Sequence, residues 1–395
     1  MSDIASLQQR DKEIETRNRK LVLAGQLAFL PTGILTTLLG PMLPILAVRW
    51  HLNDAQSGSL FPVQFLSQLA GVLLSGVMLA RVGFRAVFLS SLILMSAGVG
   101  TLYLGTAHFG WISVAVYGVG LGLIIPTDNL MVAEVSTGSP AAAVSLLNFF
   151  WGLGAVLCAL MVAWAHVHNL LSWFLAAVAL FLIILAIAMR GLPFPAKRDA
   201  AKEAIPWRKV FSAPATWLFG LVFFLYPGAE TCVGGWIGSF VSRMGVRGAS
   251  IGPMMPAFFW AALTVGRGAA GFVLHRVREQ RVLQAGYGLG ALGIALLLRA
   301  SSLPEVVAST LVTGLSFAAL YPIAVARLSQ RFGVNARSVG AVMFAMAALG
   351  PAALPLLVGV ISHSTGNLRA GLTVPLVATG ILFLLHGREW QDRDR

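Results

Sequence analysis

The stretch FFLYPGAETCVGGWIG, from Phe223 to Gly238, decides the class of this protein. It lies inside a thirty-residue run, residues 213–242, in which Glu230 is the only Asp, Glu, Lys, Arg or His. Crossing the hydrocarbon layer takes about 20 apolar helical residues. Comparable runs recur along the 395 residues, of which 57% are hydrophobic and 11% charged, whereas soluble proteins carry roughly 25% charged residues. The composition therefore predicts an integral membrane protein.

The net charge of +13 is distributed in short clusters between the apolar runs. Basic loops stay on the cytoplasmic side of a membrane, so this placement argues for a lipid bilayer as partner and against nucleic acid. With an internal amino terminus, the inner segments hold 22 of the 28 Lys and Arg residues. We therefore expect both termini to be cytoplasmic, in a bacterial-type inner membrane.

The apolar runs predict an all-α membrane protein with twelve transmembrane helices, because unpaired backbone groups in lipid cost several kcal/mol each. The predicted spans are 21–48, 56–79, 86–106, 110–135, 141–165, 169–189, 213–242, 250–274, 282–298, 304–326, 338–362 and 368–386.

The longest polar break divides these spans into six and six. The predicted domains are a cytoplasmic tail (1–20), a first six-helix bundle (21–189), a cytoplasmic linker (190–212), a second six-helix bundle (213–386) and a cytoplasmic tail (387–395). Similar residues recur in the two halves at an offset of 195 or 196, such as Gly118 and Gly314, or Gly154 and Gly350. Duplicated halves are typical of transporters with a substrate site near the midplane.

Ionisable side chains at membrane depth mark functional sites, and three stand out here: Glu230 in span 7, Asp128 in span 4 and Arg267 in span 8. We interpret Glu230 and Asp128 as candidates for proton or ion coupling. Arg267 is a candidate charge partner of Asp128, since an unpaired charge is expensive at this depth. Pro227 and the glycines around Glu230 suggest a broken or thinned helix whose side chains reach a cavity.

Neutral polar and aromatic residues on spans 2, 4, 5 and 7 are candidates for substrate binding, because a hydroxyl-rich ligand needs hydrogen bonds and a flat stacking face. Together with Glu230, this set contains Gln64, Gln68, Asn129, Asn148, Trp151, Tyr226 and Trp236. Hydrogen bonding between helices is the alternative role for these amides.

No pattern in the sequence predicts an enzyme. The GASIG stretch from Gly248 lacks the preceding strand of a hydrolase elbow, and the GLGALG stretch from Gly288 lies within a span. No group of residues has metal-ligand spacing, and we expect neither a metal nor an organic cofactor. The coupling ion would be H⁺ or Na⁺.

The loop GVMLARVGFR, Gly76 to Arg85, resembles the signature of the major facilitator superfamily. Gly76, Arg81, Gly83 and Arg85 match the signature, whereas Ala80 stands where the family has Asp. The resemblance implies the major facilitator fold, two pseudo-symmetric six-helix bundles, and a cytoplasmic gate at this loop. In the family that Asp helps to hold the cytoplasmic side shut, so a weaker or differently built latch is expected here.

Stretches in both halves, among them YGVGLGLIIPTDN from Tyr117 and LLNFFWGLGAV from Leu146, are similar to the sugar-symporter, fucose-permease-like branch. That resemblance implies uptake of a monosaccharide by alternating access, coupled to a proton or sodium ion. Span 1 lacks the carboxylate of some proton symporters, which leaves Glu230 and Asp128 as the coupling candidates.

Two other functions remain open at this point. One is a proton-coupled efflux antiporter for amphipathic organic compounds, which would suit a cavity rich in Phe and Trp. The other is a non-transporting membrane receptor or scaffold, against which the short polar tails argue. Whichever function applies, we expect the protein to be a monomer with a small-molecule substrate or ligand.

Overall fold

The computed structural model describes residues 2–136, 139–195, 211–212, 214–332 and 336–389, and within these ranges the chain is helical without any β-strand. The α-helices are α1 (Ser2–Thr37), α2 (Leu39–Arg49), α3 (Asp54–Gly58), α4 (Leu60–Thr101), α5 (Ala107–Val135), α6 (Pro140–Val167), α7 (Leu171–Met189), α8 (Pro214–Ser242), α9 (Val246–Ile251), α10 (Met255–Leu274), α11 (Glu279–Arg299), α12 (Leu303–Phe317), α13 (Leu320–Phe332), α14 (Ala336–Thr365), α15 (Leu368–Gly371) and α16 (Thr373–Glu389).

The prediction of an all-α membrane protein is confirmed. Eleven helical segments of the described chain are long and apolar enough to cross a bilayer, and one of them covers residues 54–101. Within it, Gly83 has a non-helical backbone with φ of 79° and ψ of 174°. A positive φ is easy only for glycine, so this residue breaks α4 into predicted spans 2 and 3, giving twelve.

Some predicted boundaries differ from the observed ones. The predicted tail 1–20 is helical from Ser2 and continuous with span 1, whereas span 10 is split between α12 and α13. Linker residues 196–210 and tail residues 390–395 lie outside the described residues.

Large apolar side chains on the helix surfaces are exposed in the protein. Trp173 is 74% exposed, Leu384 68% and Leu73 67%. A soluble protein rarely exposes such side chains in contiguous patches. The pattern is that of a surface in contact with lipid tails.

Four buried threonine hydroxyls are satisfied within their own helices. Thr32, Thr127, Thr313 and Thr379 each donate to the carbonyl four residues earlier, at 2.6–2.8 Å. Because no water reaches such groups in a bilayer, this back-bonding removes the cost of an unpaired polar group.

Contacts between Cα atoms divide the chain into two compact units. Unit 1 contains residues 1–36, 67–155 and 170–201, and unit 2 contains residues 37–66, 156–169 and 202–395. The parts of spans 1, 2 and 5 that the sequence predicts to face outward therefore belong to the same unit as the carboxy-terminal half. The predicted domain boundaries stay a prediction, since these clusters report packing in one conformation rather than duplication.

Inside unit 2, α8 and α14 form the most extensive helix pair, and α2 and α3 pack on them. At Gly350 on α14, an added Cβ would collide with the carbonyl oxygen of Phe224 on α8. Such close approach is possible only where glycine removes the side chain.

The same approach occurs at the equivalent place in unit 1, where a Cβ on Gly154 of α6 would collide with the carbonyl oxygen of Leu30 on α1. A second equivalent pair joins Gly98 to the Ser113 carbonyl in unit 1 and Gly293 to the Ser309 carbonyl in unit 2. These contacts repeat at the 195–196 offset, or within two residues of it, so the repeat in the sequence has a counterpart in packing.

Candidate functional site

Glu230 lies on α8, which is continuous from Pro214 to Ser242. Of the two expected forms, a broken or a thinned helix, the break is absent from this helix. Pro227 is tolerated within the helix, and the hydroxyl of Thr231 donates to its carbonyl at 2.8 Å. Added Cβ atoms would meet Leu354 and the Gly350 carbonyl at Gly228, and Phe61 at Gly235. The glycines thin the helix for packing rather than open it.

The carboxylate of Glu230 has two partners in unit 2. The hydroxyl of Tyr226, one turn earlier on α8, donates a short hydrogen bond to Oε2 of Glu230. Nη2 of Arg267, on α10, lies 3.6 Å from the same oxygen. The side chains of Glu230 and Arg267 are 12% and 29% exposed, so the pair is partly screened from solvent and partly accessible. We call Tyr226, Glu230 and Arg267 the acidic cluster.

Aromatic rings surround the acidic cluster. The Tyr226 ring stacks on Tyr321 with centroids 6.3 Å apart and meets Phe317 edge-on at 5.6 Å. The hydroxyl of Tyr226 also lies 3.0 Å from the carbonyl oxygen of Phe317, the last residue of α12. Tyr226 therefore connects the acid of span 7 to the point where span 10 breaks.

Asp128 lies in unit 1 and is fully buried on α5. Neither carboxylate oxygen receives a hydrogen bond from the residues that the structure describes. On α1, Gly25 leaves room for this carboxylate, because an added Cβ there would collide with it. A buried carboxylate without donors is costly when ionised.

The predicted pairing of Asp128 with Arg267 stays a prediction. Within unit 2, Arg267 lies beside Glu230, and within unit 1 the side chain of Asp128 faces Gly25 on α1. The contact of Arg267 with Glu230 was not predicted, because nothing in the sequence places α8 beside α10 at this depth.

Three of the candidate substrate-binding residues make hydrogen bonds within unit 1. The side-chain amides of Asn129 and Asn148 donate to the carbonyls of Ile125 and Val144 in their own helices, at 2.8 and 2.9 Å. The indole of Trp151 reaches the hydroxyl of Thr36 at 3.4 Å. Neither amide oxygen accepts a hydrogen bond from the part of the chain that the structure describes, so both can accept one from a ligand.

The other candidates are more enclosed. Gln64 is fully buried, and the buried amide oxygen of Gln68 has no hydrogen-bond partner within the described residues. Trp236 is fully buried as well, with its indole donating to the Pro355 carbonyl at 3.1 Å and its ring against Phe61. Trp236 therefore exposes no face in this structure, and its role as a stacking wall for a substrate stays a prediction.

The predicted gate loop contains one tight turn, at Gly83. Gly76 does not contribute to it, since an added Cβ there would meet nothing within 4 Å. Arg85 donates from Nη2 to the carbonyl of Leu192 at 2.8 Å, just beyond the end of α7. Arg81 is exposed. The gating role of these residues stays a prediction.

The sequence analysis missed a second polar network, inside unit 2. Asp54, the first residue of α3, accepts two hydrogen bonds from Arg243 and one from Ser362 on α14. These residues lie 189 and 308 positions from Asp54 in sequence. Asp54 and Arg243 sit outside the predicted spans, so no signal in the sequence pairs them. We call this set the outer network.

Comparisons with known proteins identify the family. The family model described as Major Facilitator Superfamily matches residues 27–299. The chain belongs to this superfamily, whose members are transporters rather than enzymes. The glucose/mannose transporter GlcP of Bacillus subtilis is 25% identical, over 95% of this chain and 96% of its own length.

Solved structures show the same fold. A D-xylose–proton symporter aligns with a TM-score of 0.74 and 15% identity over 94% of this chain and 96% of its own. The E. coli fucose:proton symporter aligns with a TM-score of 0.61 and 14% identity, over 93% of this chain and 97% of its own. A point variant of the nucleoside transporter NupG aligns with a TM-score of 0.77 and 15% identity, over 93% of this chain and 98% of its own. The predicted major facilitator fold is confirmed.

Proposed function

We propose that this protein is a secondary active transporter that moves a small, polar, sugar-like solute across the inner membrane by alternating access, coupled to protons. The observation that carries the proposal is the acidic cluster of Tyr226, Glu230 and Arg267. Acids and bases paired inside a membrane protein typically belong to substrate or proton pathways.

The hydrogen bonding of Tyr226 supports a role for Glu230 in proton coupling. A phenol has one hydrogen to donate, yet the Tyr226 hydroxyl lies within reach of both the Glu230 carboxylate and the Phe317 carbonyl. When Glu230 is ionised, Tyr226 donates to it. When Glu230 carries a proton, its own O–H donates to Tyr226, and Tyr226 donates to Phe317. Both protonation states are thus satisfied.

This change of hydrogen-bond acceptor links the protonation of Glu230 to a second helix. Protonation moves the Tyr226 hydrogen bond from span 7 to the end of α12, where span 10 breaks. A coupling ion shifts an equilibrium only when it binds the two states with different affinity. A hydrogen bond that depends on protonation and acts at a helix break supplies such a difference.

Asp128 is a second coupling candidate in this proposal. Its carboxyl group is buried without donors from the described residues, and carrying a proton removes the cost of burying the charge. Sodium remains the alternative coupling ion.

A sugar is the substrate class that the relatives favour, since GlcP is a glucose/mannose transporter by name. The likeness to NupG favours nucleosides as the second candidate. Both solutes carry several hydroxyl groups, which suit the free amide oxygens of Asn129 and Asn148. The direction of proton-linked flux in vesicles distinguishes uptake from efflux.

A ligand screen tests the substrate class. Purified protein is heated with monosaccharides, nucleosides or amphipathic cations at two pH values, and the midpoint of unfolding is measured. Because ligands that bind the folded state stabilise it, we expect a monosaccharide to raise the midpoint more at one pH than at the other. Stabilisation by amphipathic cations alone would contradict the proposal and favour the efflux antiporter.

A further inference from the structure

A cleft separate from the acidic cluster opens in unit 2 among helices α8, α11, α13 and α16. Its walls are mostly apolar, with side chains from all four helices, among them Phe219, Leu283, Ala324 and Leu382. Three polar side chains share this lining: Arg327, Tyr287 and His386.

The polar side chains are concentrated at one place in the cleft. The Arg327 side chain is 12% exposed, and its Nε donates to Glu279 at 3.3 Å. Glu279 is 40% exposed and therefore marks the solvent side of the cleft. Tyr287 and His386 are buried, with ring centroids 6.1 Å apart.

The surrounding end of unit 2 is positively charged. Arg276, Arg278, Arg281 and Arg331 are exposed in the residues around Arg327 and Glu279. Five arginines thus lie around Glu279 at this end, which the sequence predicts to be cytoplasmic. Basic sites between membrane helices on that side attract the headgroups of anionic lipids.

We propose that this cleft is a binding site for an anionic phospholipid. Its phosphate contacts Arg327 and His386, and an acyl chain covers the apolar wall formed by Ala324, Leu283 and Leu382. A guanidinium binds phosphate through several parallel N–H donors. A small inorganic anion would leave the apolar wall without a partner, which is why the proposal commits to a lipid. The site does not depend on which solute is transported.

Binding of defined lipids to the purified full-length protein tests this proposal. Phosphatidylglycerol and phosphatidylcholine are titrated separately, and bound lipid is counted by native mass spectrometry. We expect one phosphatidylglycerol per chain to persist under conditions that remove phosphatidylcholine. Inorganic phosphate, added as a competitor, should not displace it.

Two variants assign the binding to the cleft. Arg327→Gln should weaken phosphatidylglycerol binding about tenfold, because a charge-assisted contact is lost. Arg331→Gln, one turn further along α13 and exposed, removes the same charge and should change binding less than about twofold.

A second pair tests the apolar wall without touching the ion pair. Ala324→Phe fills the cleft and should abolish the retained lipid, whereas Ala326→Phe, on the exposed face of the same helix, should not. If Arg327→Gln does not fold, the Ala324→Phe and Ala326→Phe variants still show whether the lipid binds in the cleft. Equal loss in Arg327→Gln and Arg331→Gln, equal retention of both lipids, or displacement by phosphate would overturn the proposal.

Discussion

The guanidinium of Arg267 on α10 lies 3.6 Å from the carboxylate of Glu230 on α8, and the hydroxyl of Tyr226 donates to the same carboxylate. Neither charge is isolated inside the membrane protein. The lone acid of the thirty-residue apolar run is thus tolerated because a neighbouring helix supplies its counter-charge. In the proposed mechanism, protonation of Glu230 changes the hydrogen bond that Tyr226 donates.

The first prediction concerns the cost of separating this pair. Arg267→Gln leaves the Glu230 carboxylate without its counter-charge, so it should lower the free energy of unfolding by about 1–2 kcal/mol, given partial exposure. The double variant Glu230→Gln, Arg267→Gln should recover most of the loss. Thermal unfolding in detergent measures both, with the exposed Arg299→Gln as control. A double variant as unstable as the single one would refute this role of the pair.

The hydroxyl of Tyr226 gives a second prediction. Tyr226→Phe keeps the ring but removes the donor to Glu230 and Phe317, so coupled uptake should fall roughly tenfold and lose much of its dependence on pH. Tyr321→Phe, which alters the ring stacked on Tyr226, should retain the pH dependence. Initial rates of uptake between pH 5 and 8 measure the difference. An unchanged pH profile in Tyr226→Phe would show that the hydroxyl has no part in coupling.

The outer network gives a third prediction. Asp54→Asn weakens the hydrogen bonds that join α3 to Arg243 and to Ser362 on α14. Ser57, three residues along α3, is 1% exposed, so Ser57→Cys should react slowly with a water-soluble maleimide. Adding Asp54→Asn should raise that rate at least severalfold, whereas adding Arg299→Gln should not. The two native cysteines are buried and give a low background.

A fourth prediction tests the close approach of α8 and α14. Gly350→Ala places a Cβ against the Phe224 carbonyl, where backbone must shift, and should lower the midpoint of unfolding by several degrees. Gly380→Ala, on α16, meets nothing within 4 Å and should be neutral or slightly stabilising, since alanine favours helix. The same midpoint for both variants would contradict the packing described.

Much of the fold can be predicted from composition and local pattern. A membrane span is recognised from the hydropathy averaged over about twenty residues, so a few atypical residues shift its predicted boundaries but do not hide the span. Gly83 ends a helix because its backbone has a positive φ. It belongs to the loop from Gly76 to Arg85, whose resemblance to the family signature indicated a boundary between two spans. The repeat, seen in glycines such as Gly154 and Gly350, predicted duplicated halves, and these two glycines make equivalent helix contacts in the structure because such close contacts require glycine itself.

The site was harder to predict because its geometry depends on neighbours distant in sequence. Glu230 and Tyr226 are one turn apart and were placed together from helical spacing alone. The contact of Arg267 with Glu230 was not predicted, since charge does not tell which helices are adjacent. The full burial of Trp236 was not predicted either, because it depends on the close packing that the glycines beside it permit. The outer network could not be found at all from local signals.

Transport by reconstituted Glu230→Gln protein tests the central claim most directly. In proteoliposomes, an imposed pH gradient should drive accumulation of the solute by the wild-type protein but not by Glu230→Gln. Exchange of labelled for unlabelled solute, which needs no net proton movement, should persist in the variant. Glu134→Gln, an exposed acid near the end of α5, should behave as wild type. Wild-type accumulation by Glu230→Gln under the gradient would contradict the account.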